Sequence, residues 1–262
     1  MNSSMYMWKY VQRRDEPPRT YAFEEERLKA LNDQARPAAD VARILDEAQV
    51  PNVLWGMMAI CLVGEWNDDE DDVEFLVLDH LITAASNALV AAGFTPCTDP
   101  GCRAVQTEKN HHPIPAVHFH LKAQYPQHNM LRLYPKSGHL WWHPDFDLGP
   151  PTADDPDLML SNDPRLPPYA VQGMSGPWTE LYPIKILNRS SCTEAVWWLL
   201  FRDLDHANNY DLVWSMMIYS LMLYPKGITL CPKFQPMWEE FTLPERRLHA
   251  GNGAQHLDSG RR

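Results

Sequence analysis

One stretch near the start of the chain, residues 53–78, constrains the fold more than any other. Val53–Trp55 is a short apolar run of strand character that ends at Gly56, and Val73–Leu78 is a second, nearly continuous apolar run of strand length. A short apolar segment of helical character and an acidic loop at residues 68–72 separate the two runs. The order predicts strand, tight turn, short helix, loop and strand.

Helical and strand-like patterns alternate around this stretch. Two helices are predicted at Phe23–Gln34 and Pro37–Gln49, and a third is predicted between Asp79, which can cap its start, and Gly93, which can end it. Three further strand-like runs follow: Phe94–Cys97, Ala116–Leu121 and Met130–Tyr134. This alternation predicts an α/β fold in which helices flank a mixed sheet.

The second half of the chain has a different character. Residues 144–183 are rich in proline and show little periodicity, which predicts a loop region. A strand-like run at Tyr182–Leu187 then leads into two apolar helices, Ala195–Leu204 and Tyr210–Leu223. We therefore divide the chain into a flexible arm (1–20), an α/β domain (21–143), the proline-rich loop region (144–183), a helical C-terminal part (184–245) and a disordered tail (246–262).

Two carboxylates stand at the start of the second predicted strand. Because successive strand residues alternate, Asp72 and Glu74 point to the same face. Two carboxylates a few Å apart repel unless a cation or a proton lies between them, so the pair predicts a Mg²⁺ site that could receive the phosphates of a nucleotide. By the same argument, Asp72→Asn should relieve repulsion and stabilise the metal-free protein. A solvated acidic loop end is the competing interpretation.

The order of strand, glycine turn, short helix and Asp-hydrophobic-Glu resembles the nucleotidyltransferase superfamily in a minimal, divergent form, and in particular its poorly characterised fungal proteins. The resemblance covers about residues 37–223. It implies that Gly56 and Met57 lie at the phosphates of a nucleotide and that Asp72 and Glu74 hold Mg²⁺.

The resemblance also implies a third functional residue on a later central strand. In the family this residue is a carboxylate that binds metal or deprotonates the attacking group. The matching strand here is Val117–Leu121, where His118 and His120 share one face, so one of them would act as the base. A neutral imidazole is a poor Mg²⁺ ligand, and Met57 replaces a small residue of the family's glycine turn. Both departures favour a catalytically silent protein.

The same histidines belong to a second constellation. Cys97 and Cys102 bracket the turn CTDPGC, His118 and His120 follow it, and two further histidines lie between them at 111 and 112. Two thiolates and two imidazoles form a donor set that zinc favours, so we expect the cysteines to lie within reach of His118 or His120. In the competing interpretation the cysteines are small apolar residues and the histidines fill polar positions of a half-buried strand.

Residues 137–147, SGHLWWHPDFD, concentrate aromatic side chains. His139, Trp141, Trp142 and His143 could stack a planar ligand and contact phosphate. We favour the alternative that they anchor a long loop to the core.

Composition narrows the function classes. A formal net charge of −11 argues against general binding of a nucleic-acid backbone. Five cysteines at scattered positions do not resemble a secreted disulfide framework, and no apolar run has the length of a signal peptide core or a membrane span. We expect a soluble cytoplasmic protein that binds neither nucleic acid nor membranes.

Two functional hypotheses stay open. The first is a catalytically degenerate binding or scaffold protein that keeps the nucleotidyltransferase fold. The second is a metal-dependent transferase of nucleotidyl or related groups that uses Asp72 and Glu74. A nucleotide or another small molecule is the ligand implied, with Mg²⁺ or Zn²⁺ as the metal.

Overall fold

A four-stranded mixed sheet lies at the centre of the described chain. The computed structural model of the protein describes residues 21–64, 72–106, 113–168, 175–204 and 210–243, with side chains from residue 29 onwards. The strands are, in chain order, β1 (Asn52–Trp55), β2 (Asp72–Val77), β3 (Val117–His120) and β4 (Met130–Pro135). Their spatial order is β1-β2-β4-β3, with β2 and β4 parallel and the other two pairings antiparallel. The predicted α/β class with a mixed sheet is confirmed.

One face of the sheet is apolar and packs against two helices, α1 (Tyr21–Glu47) and α3 (Ile82–Ala91). Leu54, Phe75 and Leu133 lie side by side on β1, β2 and β4, and each is almost fully buried. These side chains form the main core, because alternation along each strand sends them all to the same side.

Helix α1 differs from the sequence prediction, which placed two helices here. The helix runs without interruption through Pro37. A proline inside a helix removes one backbone hydrogen bond, but the buried positions Leu31, Ala35 and Ala38 continue across it on one side. The prediction of a break was wrong because burial of this stripe against the sheet stabilises a continuous helix.

The other face of the sheet carries a row of four cross-strand neighbours, one from each strand, and three of them are polar. Cross-strand pairing aligns Trp55 on β1 with Glu74 on β2, Arg132 on β4 and His118 on β3. The β1 end of this row is covered by α2 (Gly56–Val63) and by a C-terminal helix, whose Trp214 ring lies 6.4 Å from the Trp55 ring. We call these four residues the polar row.

Among the described residues that follow the central sheet, the chain forms three helices and a small second sheet. The helices are α4 (Arg189–Asp203), α5 (Asp211–Met222) and α6 (Gln235–Phe241). The small sheet pairs β5 (Leu158–Leu160) with β6 (Lys185–Leu187) in an antiparallel manner. Strand β5 lies in the stretch predicted to be a loop region. The sequence did not predict this strand because three apolar residues between turns are too few to show a periodic pattern.

The start and the end of α3 compare differently with prediction. Asp79 belongs to a single 3₁₀ turn, Asp79–Leu81, that precedes the helix, and its carboxylate accepts a hydrogen bond from the Ser137 backbone N–H at 3.0 Å instead of capping α3. Gly93 follows the helix with a positive φ of 97°, as its predicted place at the helix end requires.

Four predictions concern residues outside the described ranges. They are the flexible arm (1–20), the acidic residues 68–71, the disordered tail (246–262) and the histidines His111 and His112. Within the described ranges, no helix combines the length and apolar character needed to cross a bilayer.

Candidate functional site

The two carboxylates of β2 pair with an arginine of the neighbouring strand. Asp72 and Glu74 share one face of the sheet, and the parallel register of β2 and β4 places Arg132 beside Glu74. One terminal nitrogen of Arg132 lies 2.7 Å from an Asp72 oxygen and 2.9 Å from a Glu74 oxygen. The backbone N–H of Met130 also donates to Asp72, at 3.1 Å. A guanidinium therefore lies between the carboxylates, where the sequence predicts Mg²⁺.

This network is buried. Glu74 is 6% exposed and Arg132 is 2% exposed. Burial opposes the positive charge of Arg132, but the carboxylates of Glu74 and Asp72 outweigh it and raise the pKa of the guanidinium. The Tyr134 hydroxyl donates to Glu74 at 3.2 Å, and burial together with the Glu74 charge raises the pKa of Tyr134. We call Asp72, Glu74, Arg132 and Tyr134 the acid–arginine cluster.

Gly56, predicted to lie at the phosphates of a nucleotide, lies against Glu74. It begins α2 with a φ of +74°, and a Cβ atom added to it would lie 1.9 Å from a Glu74 carboxylate oxygen. The next residue, Met57, is buried. Glycine is required here both by the backbone conformation and by the close approach of Glu74. The start of α2 thus faces a carboxylate of the chain itself.

His139 is enclosed by aromatic rings beside the acid–arginine cluster. Its ring centroid lies 4.6 Å from that of Tyr134, 5.7 Å from that of Trp55 and 5.9 Å from that of Trp214. Among the described residues, neither ring nitrogen makes a hydrogen bond of good geometry, but the backbone of Pro135 lies close enough to favour the protonated ring slightly. Burial lowers the pKa of His139 to about 4, so the imidazole is neutral at physiological pH.

The other aromatic residues of this segment pack against helix α4. The Trp142 ring lies 5.8 Å from the ring of Trp198 on α4, and Trp141 packs edge-on against Trp142 at 4.4 Å. His143 lies 3.5 Å from a carboxylate oxygen of Asp157. These contacts connect the segment to the C-terminal part, in the manner of the anchoring role that we favour for it.

The second constellation comes together at the edge of the sheet. Cys97, Cys102, His118 and His120 each direct one donor atom to a common point, and these four atoms lie within 4.8 Å of one another. The Nε2 atoms of His118 and His120 lie 3.3 Å and 3.6 Å from the Cys102 sulfur. The backbone N–H of Cys97 donates to the His118 carbonyl at 2.9 Å. We call these four residues the Cys–His cluster.

Burial shifts the pKa values of two residues of the Cys–His cluster. Burial lowers the pKa of His118, and the nearby positive charges of His120 and Arg132 lower it further. Burial raises the pKa of the Cys97 thiol. His118 is 4% exposed and His120 is exposed, so the cluster reaches from the interior to the surface.

Arg132, whose positive charge pairs with both carboxylates of β2, was not identified from the sequence. The strand Met130–Pro135 reads as an apolar run interrupted by one charge. A charged residue inside a buried strand requires a partner, and this signal could have matched Arg132 to the acidic pair. The strand order was the missing information, because β4 and not β3 lies beside β2.

No protein-family model and no curated protein matches this sequence. Among solved structures, the chain is similar to the antibiotic-resistance factor ANT(2'')-Ia, whose solution structure has been described with substrate-regulated conformation dynamics. The TM-score is 0.35 and the sequence identity is 10%, over 88% of this chain and 97% of that chain. The α/β assignment rests on the strand order and register described above.

Proposed function

We propose that this chain is a catalytically silent binding or scaffold protein, whose nucleotidyltransferase-like pair of carboxylates has a structural role. The observation that carries the proposal is the position of Arg132, within 2.9 Å of both Asp72 and Glu74. In this proposal the arginine supplies the positive charge that a metal ion would supply in an active transferase.

The charge of Arg132 disfavours a divalent ion at the same carboxylates. An ion bound to the oxygens that contact Arg132 would lie about 4 Å from the guanidinium, given Mg²⁺–oxygen bonds of about 2.1 Å. At an effective dielectric constant of about 20, a charge of +2 and a charge of +1 at this distance repel by about 8 kcal/mol. Arg132 is 2% exposed, so it would have to leave a buried site to avoid this repulsion.

The start of α2 and the histidine strand support the same proposal. Phosphates approaching Gly56 would meet the Glu74 carboxylate, which lies against that glycine. His118 lies two strands away from Glu74, with Arg132 between them, at a strand spacing of about 4.8 Å. A base at His118 would therefore be about 10 Å from the carboxylate expected to hold the metal.

The alternative function is a Mg²⁺-dependent transferase, favoured by the fact that Asp72 and Glu74 share a face. Calorimetric titration with each nucleoside triphosphate, in the presence of Mg²⁺ or Mn²⁺, tests the two against each other. If the two carboxylates have a purely structural role, none of these triphosphates gives metal-dependent binding heat at the acidic pair.

A matched pair of variants makes the result specific. Asp72→Asn changes the acid–arginine cluster, and Asp154→Asn changes an exposed carboxylate elsewhere. Triphosphate binding by the wild type that is lost in Asp72→Asn and kept in Asp154→Asn would identify a nucleotide site at these carboxylates and reject their purely structural role.

A further inference from the structure

We propose that Cys97, Cys102, His118 and His120 bind one structural zinc ion, which fastens the segment 97–105 to the edge of the sheet. This proposal is independent of the function proposed above, because it concerns a different cluster.

The distances fit a single tetrahedral ion. With Zn–S bonds of about 2.3 Å and Zn–N bonds of about 2.0–2.1 Å, a sulfur and a nitrogen ligand of one tetrahedral zinc lie about 3.6 Å apart. The Cys102 sulfur lies 3.3 Å from the Nε2 atom of His118 and 3.6 Å from that of His120. The Cys97 sulfur falls within the same 4.8 Å group. Only small side-chain adjustments are needed to coordinate the ion.

Hydrogen bonding accounts for the two contacts at Cys102 only if the sulfur also accepts. The thiol has one proton to donate, so at least one of the two imidazole nitrogens that approach it must donate its own proton to the sulfur, which is a weak acceptor. A cation at the centre instead gives the lone pairs of all four donor atoms a partner at once. The convergence therefore suits a metal ion better than a set of weak hydrogen bonds.

The donor set selects zinc and a structural site. Thiolate and imidazole ligands suit zinc, whereas Mg²⁺ and Ca²⁺ prefer oxygen. Four protein ligands complete a tetrahedral ion and leave no position for a substrate, which is typical of structural zinc. Binding converts two thiols to thiolates and releases their two protons, so the +2 ion and two negative sulfurs form a neutral site.

The position of the cluster gives the ion a specific role. Strand β3 is an edge of the sheet, and edge strands expose backbone groups that can pair with other chains. Pro96 forms a bridge with Phe119, and the Cys97 N–H donates to the His118 carbonyl, so this segment covers part of the edge. An ion held jointly by both cysteines and both histidines would link the cover to the strand.

The test is the metal content of the full-length protein, purified without added metal and without chelator. We expect one zinc per chain by elemental analysis. Cys102→Ser and His120→Ala should reduce the content to near zero. Cys231→Ser, at a partly buried cysteine outside the cluster, should keep it.

A second measurement covers the case in which the cluster variants do not fold. Removing the metal from the wild type and adding Co²⁺ should give the visible absorption of a tetrahedral cobalt–thiolate site, at one equivalent per chain. The proposal is overturned if the wild type contains no stoichiometric zinc and shows no cobalt–thiolate absorption. It is also overturned if fresh protein carries a Cys97–Cys102 disulfide in place of the metal, or if Cys102→Ser retains zinc.

Discussion

The acid–arginine cluster and the Cys–His cluster lie on the same face of one sheet, yet their polar side chains find partners in different ways. At the centre of the sheet, register places Arg132 between Asp72 and Glu74, so the chain supplies its own cation. At the edge, a loop brings two cysteines to two histidines, and the four donor atoms lie within 4.8 Å of one another, where we propose that an added zinc ion binds.

The difference shows that the position of a strand in the sheet determines which partners its polar residues meet. A carboxylate on a central strand has a fixed cross-strand partner, and here that partner carries the opposite charge. A histidine on an edge strand has one side open to a loop that can bring other ligands. His118 and Arg132 are direct cross-strand partners, so the two clusters adjoin within the polar row.

The largest effect should follow from removing the internal cation. Arg132→Met leaves Glu74 buried and without its guanidinium, and breaking a buried pair in this way costs about 3–5 kcal/mol of unfolding free energy. Arg165→Met is the matched control, because Arg165 pairs with Asp163 on the surface and such pairs contribute about 1 kcal/mol or less. Urea denaturation of both variants checks the prediction; equal losses would show that the acid–arginine cluster is not the stabilising element.

A second test uses pH to ask whether His139, beside the acid–arginine cluster, is shielded from water. The pKa of His139 is about 4 in the folded protein, against an ordinary value of 6.5, so the unfolded chain binds this proton more tightly. The stabilisation is present above pH 6.5 and is lost as the pH falls from 6.5 to about 4, by about 3 kcal/mol in total.

His139→Phe keeps an aromatic ring in the cage and removes the proton site. Its unfolding free energy should fall less steeply than that of the wild type between pH 6.5 and 4. His80→Phe, on the exposed 3₁₀ turn, should keep the wild-type slope. Identical slopes for all three proteins would mean that His139 is protonated as easily in the fold as in water.

The third prediction compares two glycines with positive φ. Gly56→Ala combines backbone strain with a clash against Glu74 and should cost about 3 kcal/mol, whereas Gly93→Ala meets no atom within 4 Å and should cost about 1 kcal/mol. Thermal denaturation distinguishes them. Equal costs would show that Glu74 does not press against the start of α2.

The smallest effect concerns Asp72, and its sign differs from the sequence-based expectation. When Arg132 is not considered, repulsion between Asp72 and Glu74 predicts that Asp72→Asn stabilises the protein. With Arg132 2.7 Å away, the charge of Asp72 is favourable, so the variant should lose about 1–2 kcal/mol. A gain in stability, measured against Asp154→Asn, would restore the repulsion argument.

Local patterns predicted much of this architecture. The strand ending at Trp55, the strand starting near Asp72 and the shared face of His118 and His120 follow from alternation within a few residues. The approach of Cys97 to His118 was also expected, because a short turn and a strand of known alternation limit where the cysteines can lie.

The remaining features depend on contacts between distant segments. Arg132 meets Glu74 only because β4 inserts between β2 and β3, and no local pattern encodes that order. The burial of His139 depends on Trp214, which is contributed by a helix far along the chain. Strand β5 exists through its pairing with β6, since three residues give no periodic signal.

The most direct test of the contrast between the two clusters is the melting temperature of metal-free protein, titrated separately with Zn²⁺ and with ATP and Mg²⁺. A ligand at 100 times its dissociation constant adds about 2.7 kcal/mol of stability. Zn²⁺ should raise the melting temperature and saturate at one equivalent per chain, and ATP with Mg²⁺ should leave it unchanged. A rise with ATP and Mg²⁺ and no change with Zn²⁺ would contradict the account at both clusters.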